Sequence, residues 1–316
     1  MYYSLILLLV FLVVMISVGV WSMRKTTTLN DFFLGGRSSG PWMSAFAYGT
    51  TYFSAVVFIG FAGKQGWGFG LQSLWIGVGN ALLGAGLAWL LLAKRTRRMT
   101  QNLDTMTMPE FLEARYDSAH MKMFSAVLIF IFLLPYSASV FKGLGHLFET
   151  TFNISFDFAL IILVAITGIY LVLGGYLAVT VTDFIQGFIM LAGAIGMTVV
   201  FVMKAGGLPD AIRASAEGFA SHVPISERPS LLTIGSLVFM TSFGTWGLPQ
   251  MVQKFYAVKD ESVICKATII TTIFALIIGV SAYLTGSLSH VFFDVNTVPR
   301  FPGVEGALGA INYDMI

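Results

Sequence analysis

Two short stretches of the chain place hydroxyl and glycine residues inside otherwise apolar segments. They are "AYGTTYFSA", which begins at residue 47, and "MTSFGTWGLPQ", which begins at residue 240. In the second, Pro249 lacks a backbone N–H and disfavours a helical conformation at Leu248. An interrupted helix exposes carbonyl oxygens, which suit a hard cation, and helix N-termini, which favour an anionic group. The alternative is that the small residues only let two helices pack closely.

The composition indicates an integral membrane protein. The 316 residues are 56% hydrophobic and only 11% charged, and the mean hydropathy is +0.82, whereas soluble domains are about 25% charged. One cysteine, Cys265, excludes a disulfide framework and a cysteine metal cluster. The histidines lie scattered between apolar segments, so we expect no histidine metal site. They are His120, His146, His222 and His290.

The apolar stretches predict about eight membrane-spanning helices, since a span needs roughly 20 apolar residues. They are 2–23, 42–62, 71–93, 124–141, 156–173, 184–203, 231–249 and 267–289. With an external N-terminus, twelve of the 18 basic residues, Lys254 among them, lie in inside connections. The positive-inside rule therefore favours this orientation.

The two polar stretches occupy corresponding positions in two groups of spans. Such a pair is the best sequence indication of a transporter's binding site. We therefore expect a single transmembrane domain over 1–316 with an extra helix at 2–23. A first inverted repeat covers about 42–203, and a second begins at about 231–289.

Three motifs resemble the sodium:solute symporters, which include proline, pantothenate, monocarboxylate, iodide and sugar cotransporters. They are "NDFFLGGRSSGP" (30–41), "GGYLAVTVTDFIQG" (174–187) and "GLPQMVQKFYAVKD" (247–260). The resemblance implies an all-α LeuT-type inverted-repeat fold and Na⁺-driven uptake of a small solute by alternating access. Family members are usually longer. We therefore expect this chain to be a fragment or a truncated reading frame that holds the N-terminal portion of a longer transporter, and to be inactive alone.

The resemblance also implies roles for individual residues. It assigns Na⁺ to the backbone at Thr50 and Phe53, with Asp183 and Thr182 at a second cation position. It also implies a substrate role for Tyr136, which matches a tyrosine of the family's substrate site. From their positions at the two polar stretches, we further expect substrate contacts from Tyr52, Ser54, Thr241, Thr245 and Trp246, and gating by Arg37 and Pro249.

Each assignment has a plainer structural alternative. Asp183 could cap a helix N-terminus, and the Tyr136 hydroxyl could bond across helices. Trp246 could simply pack, and Arg37 could be a positive-inside anchor.

The substrate expectation rests on two departures from the proline transporters. Those have an aspartate where Tyr52 stands and aromatic residues where Thr241 and Thr245 stand. An organic anion of the pantothenate or monocarboxylate type is therefore expected, with a proline-like amino acid or a sugar as alternatives.

Other functional classes have weaker support. "GRSSG" (36–40) fits the G-x-S-x-G hydrolase motif, but it joins two membrane helices instead of a strand and a helix. A channel would favour a polar stripe along several helices, whereas polarity here concentrates at two points. We expect a multi-pass protein of the cytoplasmic membrane whose partners are solute and lipid, without nucleic acid or an obligatory protein partner.

Overall fold

The computed structural model describes residues 2–54, 57–152 and 154–293. Most of these residues are helical. The α-helices are α1 (Tyr2–Met23), α2 (Leu29–Leu34), α3 (Pro41–Tyr52), α4 (Ala62–Phe69), α5 (Leu74–Gly79), α6 (Lys94–Asn102), α7 (Met108–Tyr116), α8 (Ala119–Phe152), α9 (Phe156–Lys204), α10 (Leu208–His222), α11 (Leu231–Phe243), α12 (Pro249–Tyr256) and α13 (Glu261–Phe292). π-helical turns at Val57–Phe61, Asn80–Leu87 and Trp89–Ala93, and 3₁₀ turns such as Gly70–Ser73, join several of them.

Five helices of the described residues are long and apolar enough to cross a membrane, or six if a bent pair around Leu248 counts as one span. The difference from the eight predicted spans has two causes. The predicted second span is interrupted after Tyr52. In addition, α9 has 49 residues, about 73 Å of helix against a hydrocarbon core of about 30 Å. Gly175 interrupts it with φ 56° and ψ −152°, so α9 contains the predicted fifth and sixth spans.

The chain forms two compact units. Unit 1 contains the described residues up to Tyr52, together with Ala88–Gly187 and Gly247–Ile270. Unit 2 contains Phe53–Leu87, Phe188–Trp246 and the described residues from Thr271 onward. The chain therefore passes between the units five times, and two of these passages coincide with the polar stretches.

An aromatic cluster fills the core of unit 1. The Tyr48 ring lies 5.7 Å from Trp89 and 5.5 Å from Phe255, and Trp89 and Phe255 are 5.0 Å apart, measured between ring centroids. All three side chains are buried. They bring α3, the π-helical turn before α6, and α12 together.

Close helix contact in unit 2 depends on glycine. A Cβ on Gly66 would lie 2.2 Å from the backbone of Gly286, and one on Gly77 would lie 2.7 Å from that of Gly279. The residues around α4 and α5 thus approach α13 almost backbone to backbone, as small residues allow in membranes. Beside these contacts the Ser73 and Ser287 hydroxyls lie 3.0 Å apart.

Candidate cation and substrate site

The first polar stretch ends in a break of the helix. α3 continues through both threonines to Tyr52, and Phe53 and Ser54 are not helical. The Thr50 hydroxyl donates to the Phe46 carbonyl at 2.9 Å, and the Thr51 hydroxyl donates to Ala47 at 2.7 Å. The hydroxyls therefore bond back to their own helix, and the break follows them.

The second stretch is interrupted as the sequence predicts. α11 ends at Phe243, a 3₁₀ turn covers Gly244–Gly247, and Leu248 is extended with ψ 126°. Pro249 then occupies the first turn of α12, where its missing N–H would have no intrahelical partner.

Lys254 lies on α12, which begins after this break, and forms a buried ion pair with Asp183 of α9. The Lys254 Nζ lies 2.8 Å from the Asp183 Oδ2, and the two side chains are 5% and 15% exposed. The Thr50 hydroxyl lies near the Asp183 carboxylate, but it donates to the Phe46 and Ala47 carbonyls of its own helix. The ion pair therefore joins two interrupted membrane segments within unit 1, through α9 and α12.

The surroundings of the pair clarify the role of two sequence-predicted residues. Asp183 lies two turns beyond the break at Gly175, in the interior of α9, so it does not cap a helix. Thr182, beside it in the sequence, donates its hydroxyl to the Val179 carbonyl at 2.9 Å. Thr182 is thus satisfied by its own helix.

Lys254 is the functional candidate that sequence reasoning missed. It was counted among the basic residues of an inside connection, yet it is buried and lies 5.4 Å from the centre of the Tyr176 ring. The signal available in the sequence was a lysine five residues after a helix-starting proline, in the stretch "PQMVQKFYAV" that has no other charged residue.

A cavity of about 470 Å³ lies in unit 1 beside the pair. Its walls are mainly apolar, and its polar lining residues are Thr51, Tyr176, Gln250, Gln253 and Lys254. The Gln250 Oε1 is buried and has no hydrogen-bond partner among the described residues, whereas Gln253 donates to the Phe33 carbonyl at 2.8 Å. An unsatisfied buried acceptor is costly, and a bound donor would satisfy it.

Tyr136 lines a second cavity of unit 1, of about 370 Å³, together with Gly247, Leu248 and Pro249. The structure thus places this predicted substrate residue beside the break of the seventh predicted span. The other side chains that line the cavity are mainly apolar.

Arg37 binds backbone carbonyls of unit 1. Its guanidinium donates to the carbonyls of Thr105 at 2.8 Å, Tyr256 at 3.1 Å and Thr100 at 3.3 Å. Partial burial lowers the pKa of Arg37, but a guanidinium stays charged in proteins. Arg37 therefore fixes the ends of α6 and α12 relative to the turn after α2.

The predicted substrate residues of unit 2 use their donors internally. The Thr241 hydroxyl lies 2.7 Å from both Asn80 Oδ1 and the Leu237 carbonyl, and Thr245 donates to Ser242 at 2.7 Å. The Trp246 Nε1 donates to the Leu83 carbonyl at 3.2 Å. Asn80, which the sequence did not single out, is the buried acceptor that fastens α11 to the neighbouring π-helical turn.

Of the remaining predicted residues, Tyr52 is buried and its ring lies 6.3 Å from that of Tyr48. Phe53 is buried at the break, and Ser54 is partly exposed. Ser38, the serine of the hydrolase-like motif, donates to the Gly35 carbonyl at 2.7 Å.

The three motifs behind the family resemblance meet in unit 1. Ser39 and Val258 form a parallel bridge, with Ser39 N donating to Ala257 at 3.2 Å. The positive φ of Gly175 lets α9 approach Phe32, where a Cβ would lie 2.8 Å from the ring. The ion pair joins the second and third motifs. The three motifs, although far apart in the sequence, therefore contact one another in the fold.

Comparison with known sequences gives consistent relatives. The osmoregulated proline transporter OpuE of Bacillus subtilis is 32% identical over 294 residues, 90% of this chain and 58% of the relative. The sodium/proline symporter 2 of Staphylococcus saprophyticus is 30% identical over 83% of this chain and 51% of the relative. A Staphylococcus aureus sodium/proline symporter is 31% identical with the same coverage. The chain therefore spans about half the length of the curated relatives it matches.

A solved structure and a family model complete the comparison. A Na⁺-coupled sialic acid symporter, solved in a substrate-bound outward-open state, matches with a TM-score of 0.78 and 20% identity over 98% of this chain and 65% of that one. This match establishes the all-α LeuT-type fold. The model of the sodium:solute symporter family matches residues 32–310. The chain belongs to the sodium:solute symporter family.

Proposed function

We propose that the protein is a Na⁺-coupled symporter of the cytoplasmic membrane that takes up a small solute by alternating access. The observation that carries the proposal is the pair of helix interruptions, at Phe53–Ser54 and at Gly244–Leu248, which we place in corresponding positions of the two proposed repeats. Irregular backbone at membrane depth is tolerated where protein buries it or where it lines a polar cavity. In carriers, such breaks form the substrate and ion sites.

A proline-like amino acid is the better substrate candidate. The three curated relatives above are named as proline transporters, which favours this alternative over the organic anion that we expected from Tyr52, Thr241 and Thr245. The structure also weakens the argument from Thr241 and Thr245, because both hydroxyls already donate hydrogen bonds within unit 2. An organic anion stays the second candidate because of Tyr52.

Asp183 is the residue that we assign to the coupling ion. A carboxylate and a hydroxyl are hard oxygen ligands, and the Thr50 hydroxyl lies near Asp183. The amino group of Lys254 pairs with the carboxylate in this structure. When Na⁺ binds at Asp183, Lys254 has to share the carboxylate with the ion or release the carboxylate.

Charge distinguishes the two substrate candidates. One Na⁺ moving inward at −100 mV and a tenfold gradient supplies about 3.7 kcal/mol. A zwitterion such as proline has no net charge, so the whole of this energy can drive its uptake. A monovalent anion moving with one Na⁺ is electroneutral and gains only the chemical part.

The test is uptake by the complete product of the gene that encodes this chain, reconstituted into liposomes, because we expect the 316 residues alone to be inactive. Radiolabelled proline, lactate and pantothenate are offered under an inward Na⁺ gradient, with and without a K⁺-valinomycin potential. We expect proline to accumulate with Na⁺ but not with K⁺, and faster when the interior is negative. Liposomes without protein give the background. Accumulation of only the acids would favour the second candidate, and equal uptake in K⁺ would overturn coupling to Na⁺.

A further inference from the structure

Two histidines that lie 68 residues apart meet in unit 2. The Nδ1 atoms of His222, at the end of α10, and His290, near the end of α13, are 3.1 Å apart. This contact is not visible in the sequence, since no two histidines stand at ligand spacing. The pair has no part in the proposed transport site, whose charged members belong to unit 1.

A neighbouring carbonyl fixes the protonation of His290. Its Nε2 lies 2.8 Å from the Trp67 carbonyl oxygen. A carbonyl only accepts, so this nitrogen carries the proton, and a neutral His290 presents a bare lone pair on Nδ1. The same arrangement, in which a ligating histidine donates its other N–H to a backbone carbonyl, orients histidine ligands in metal sites.

The two rings are also held in place by stacking. The Trp67 ring lies 4.3 Å from His290 and 5.5 Å from His222, between ring centroids, and is nearly parallel to both. Phe219 meets His290 edge to face at 5.7 Å. The two nitrogens are thus oriented before any ligand arrives.

We propose that His222 and His290 form a two-histidine binding site for a divalent transition-metal ion, with Zn²⁺ as the best match. At Zn–N distances of about 2.0–2.1 Å, two nitrogens of a tetrahedral ion stand about 3.3–3.4 Å apart. The pair needs to separate by only a few tenths of an ångström. The ion takes the position of the proton that His222 Nδ1 donates to His290 Nδ1, and the neutral His222 then carries its proton on Nε2.

The rest of the coordination sphere is water. No group of three or more His, Cys, Asp and Glu side chains able to hold a metal occurs among the residues that the structure describes. Two protein ligands give a weaker site than the three or four of catalytic and structural zinc sites. His222 is only partly buried, so an ion can reach the pair from solvent.

A positive charge lies near the histidine pair. The Arg228 guanidinium is 5.5 Å from the centre of the ring of Phe219, which itself packs against His290. It also donates to the carbonyls of Ala220 and Val223. On the neighbouring part of α10, Arg213 is paired with Glu217. Arg228 disfavours a second cation, which further limits the affinity for the metal.

Metal binding would fasten α10 to the rest of unit 2. α10 already contacts α13 through the Ser215 hydroxyl, which donates to the Ser287 carbonyl at 2.8 Å. Gly218 packs against His290, where a Cβ would lie 2.8 Å from the His290 carbonyl oxygen. An ion between the histidines adds a bond at the last residue of the same helix.

The test is a Zn²⁺ titration of the purified, tag-free protein in detergent, against a chromophoric chelator. All variants carry Cys265→Ser, because this exposed thiol could bind zinc. His222→Phe keeps a ring beside Trp67, and His290→Gln keeps a donor for the Trp67 carbonyl. His146→Phe is the control, since that histidine bonds Glu149 on α8.

We expect one ion per chain, and binding weakened by at least about tenfold in both site variants, as loss of even an outer-shell partner costs 10–100-fold. The control should bind like the parent. Unchanged binding in His222→Phe, or loss in His146→Phe instead, would overturn the proposal. So would absence of saturable binding in a parent protein that still shows its cooperative thermal transition.

Discussion

At the scale of single residues, the buried ion pair between Lys254 and Asp183 is energetically costly to form. Taking two charges out of water is repaid only when each keeps its partner and further hydrogen bonds. Here the carboxylate has Lys254 as its partner, and the ammonium also faces the Tyr176 ring. The pair is therefore weak evidence for stability and better evidence for a function that needs a displaceable cation beside a carboxylate.

Removing one partner of the Lys254–Asp183 pair should lower the stability of the protein much more than removing both. We expect Lys254→Met to destabilise the protein by about 3–5 kcal/mol, because Asp183 is left as an uncompensated buried charge. The double variant Lys254→Met with Asp183→Asn should recover a large share of that loss. Thermal unfolding in detergent measures both.

A matched surface pair gives the control. Lys122 and Glu113 are also close, at 2.7 Å, but 47% and 36% exposed. Lys122→Met should cost no more than about 1 kcal/mol. Equal losses in the two lysine variants would show that the Lys254 ion pair is not buried as described.

Asp183→Asn tests the coupling role directly. We expect it to lower the Hill coefficient for Na⁺ or to abolish uptake, because a neutral amide cannot balance a bound cation. Na⁺-dependence of uptake in proteoliposomes is the measurement, with Asp210→Asn on the exposed side of α10 as the control. An unchanged coefficient and rate would remove Asp183 from the ion pathway.

At the scale of helices, the break in α9 depends on one glycine. Gly175 has φ 56°, and a Cβ there would lie 2.8 Å from the Phe32 ring and backbone. We expect Gly175→Ala to lower the unfolding temperature, since both the backbone conformation and the contact oppose a side chain.

The same helix provides the comparison for this variant. Gly168 has no neighbour within 4 Å of its hypothetical Cβ, and alanine is the better helix former. Gly168→Ala should therefore be neutral or slightly stabilising. If both variants lost stability equally, the loss would reflect the glycine content of α9 and not the break.

The helices differ in how far the sequence predicted them. Both interruptions were predicted, because Pro249 and the clustered small and hydroxyl residues act on the local backbone. The break at Gly175 lies between the predicted fifth and sixth spans, but the sequence did not show that the helix resumes directly after this glycine. Lys254 was missed for another reason. Its burial follows from Asp183, 71 residues away, and such pairings are not visible in local hydropathy.

At the scale of the whole molecule, the orientation in the membrane stays a prediction that one native residue can test. Cys265 is the single cysteine of the sequence and is exposed. It lies at the start of α13, in a connection that the basic residues place inside. We expect a membrane-impermeant thiol reagent to label it in inside-out vesicles but not in intact cells.

A second cysteine makes this test reciprocal. Ser221 is exposed at the end of α10, in a segment placed outside. Ser221→Cys in a Cys265→Ser background should be labelled in intact cells. Labelling of Cys265 from outside would reverse the predicted topology.

The distance along the chain between the two charged partners has a consequence for biogenesis. Asp183 leaves the ribosome 71 residues before Lys254, which at 5–20 residues per second is about 4–14 s. During that interval the nascent chain has a carboxylate without its lysine, and an unpaired charge inside a membrane protein is costly. Pairing of this carboxylate must therefore wait until α12 has been synthesised.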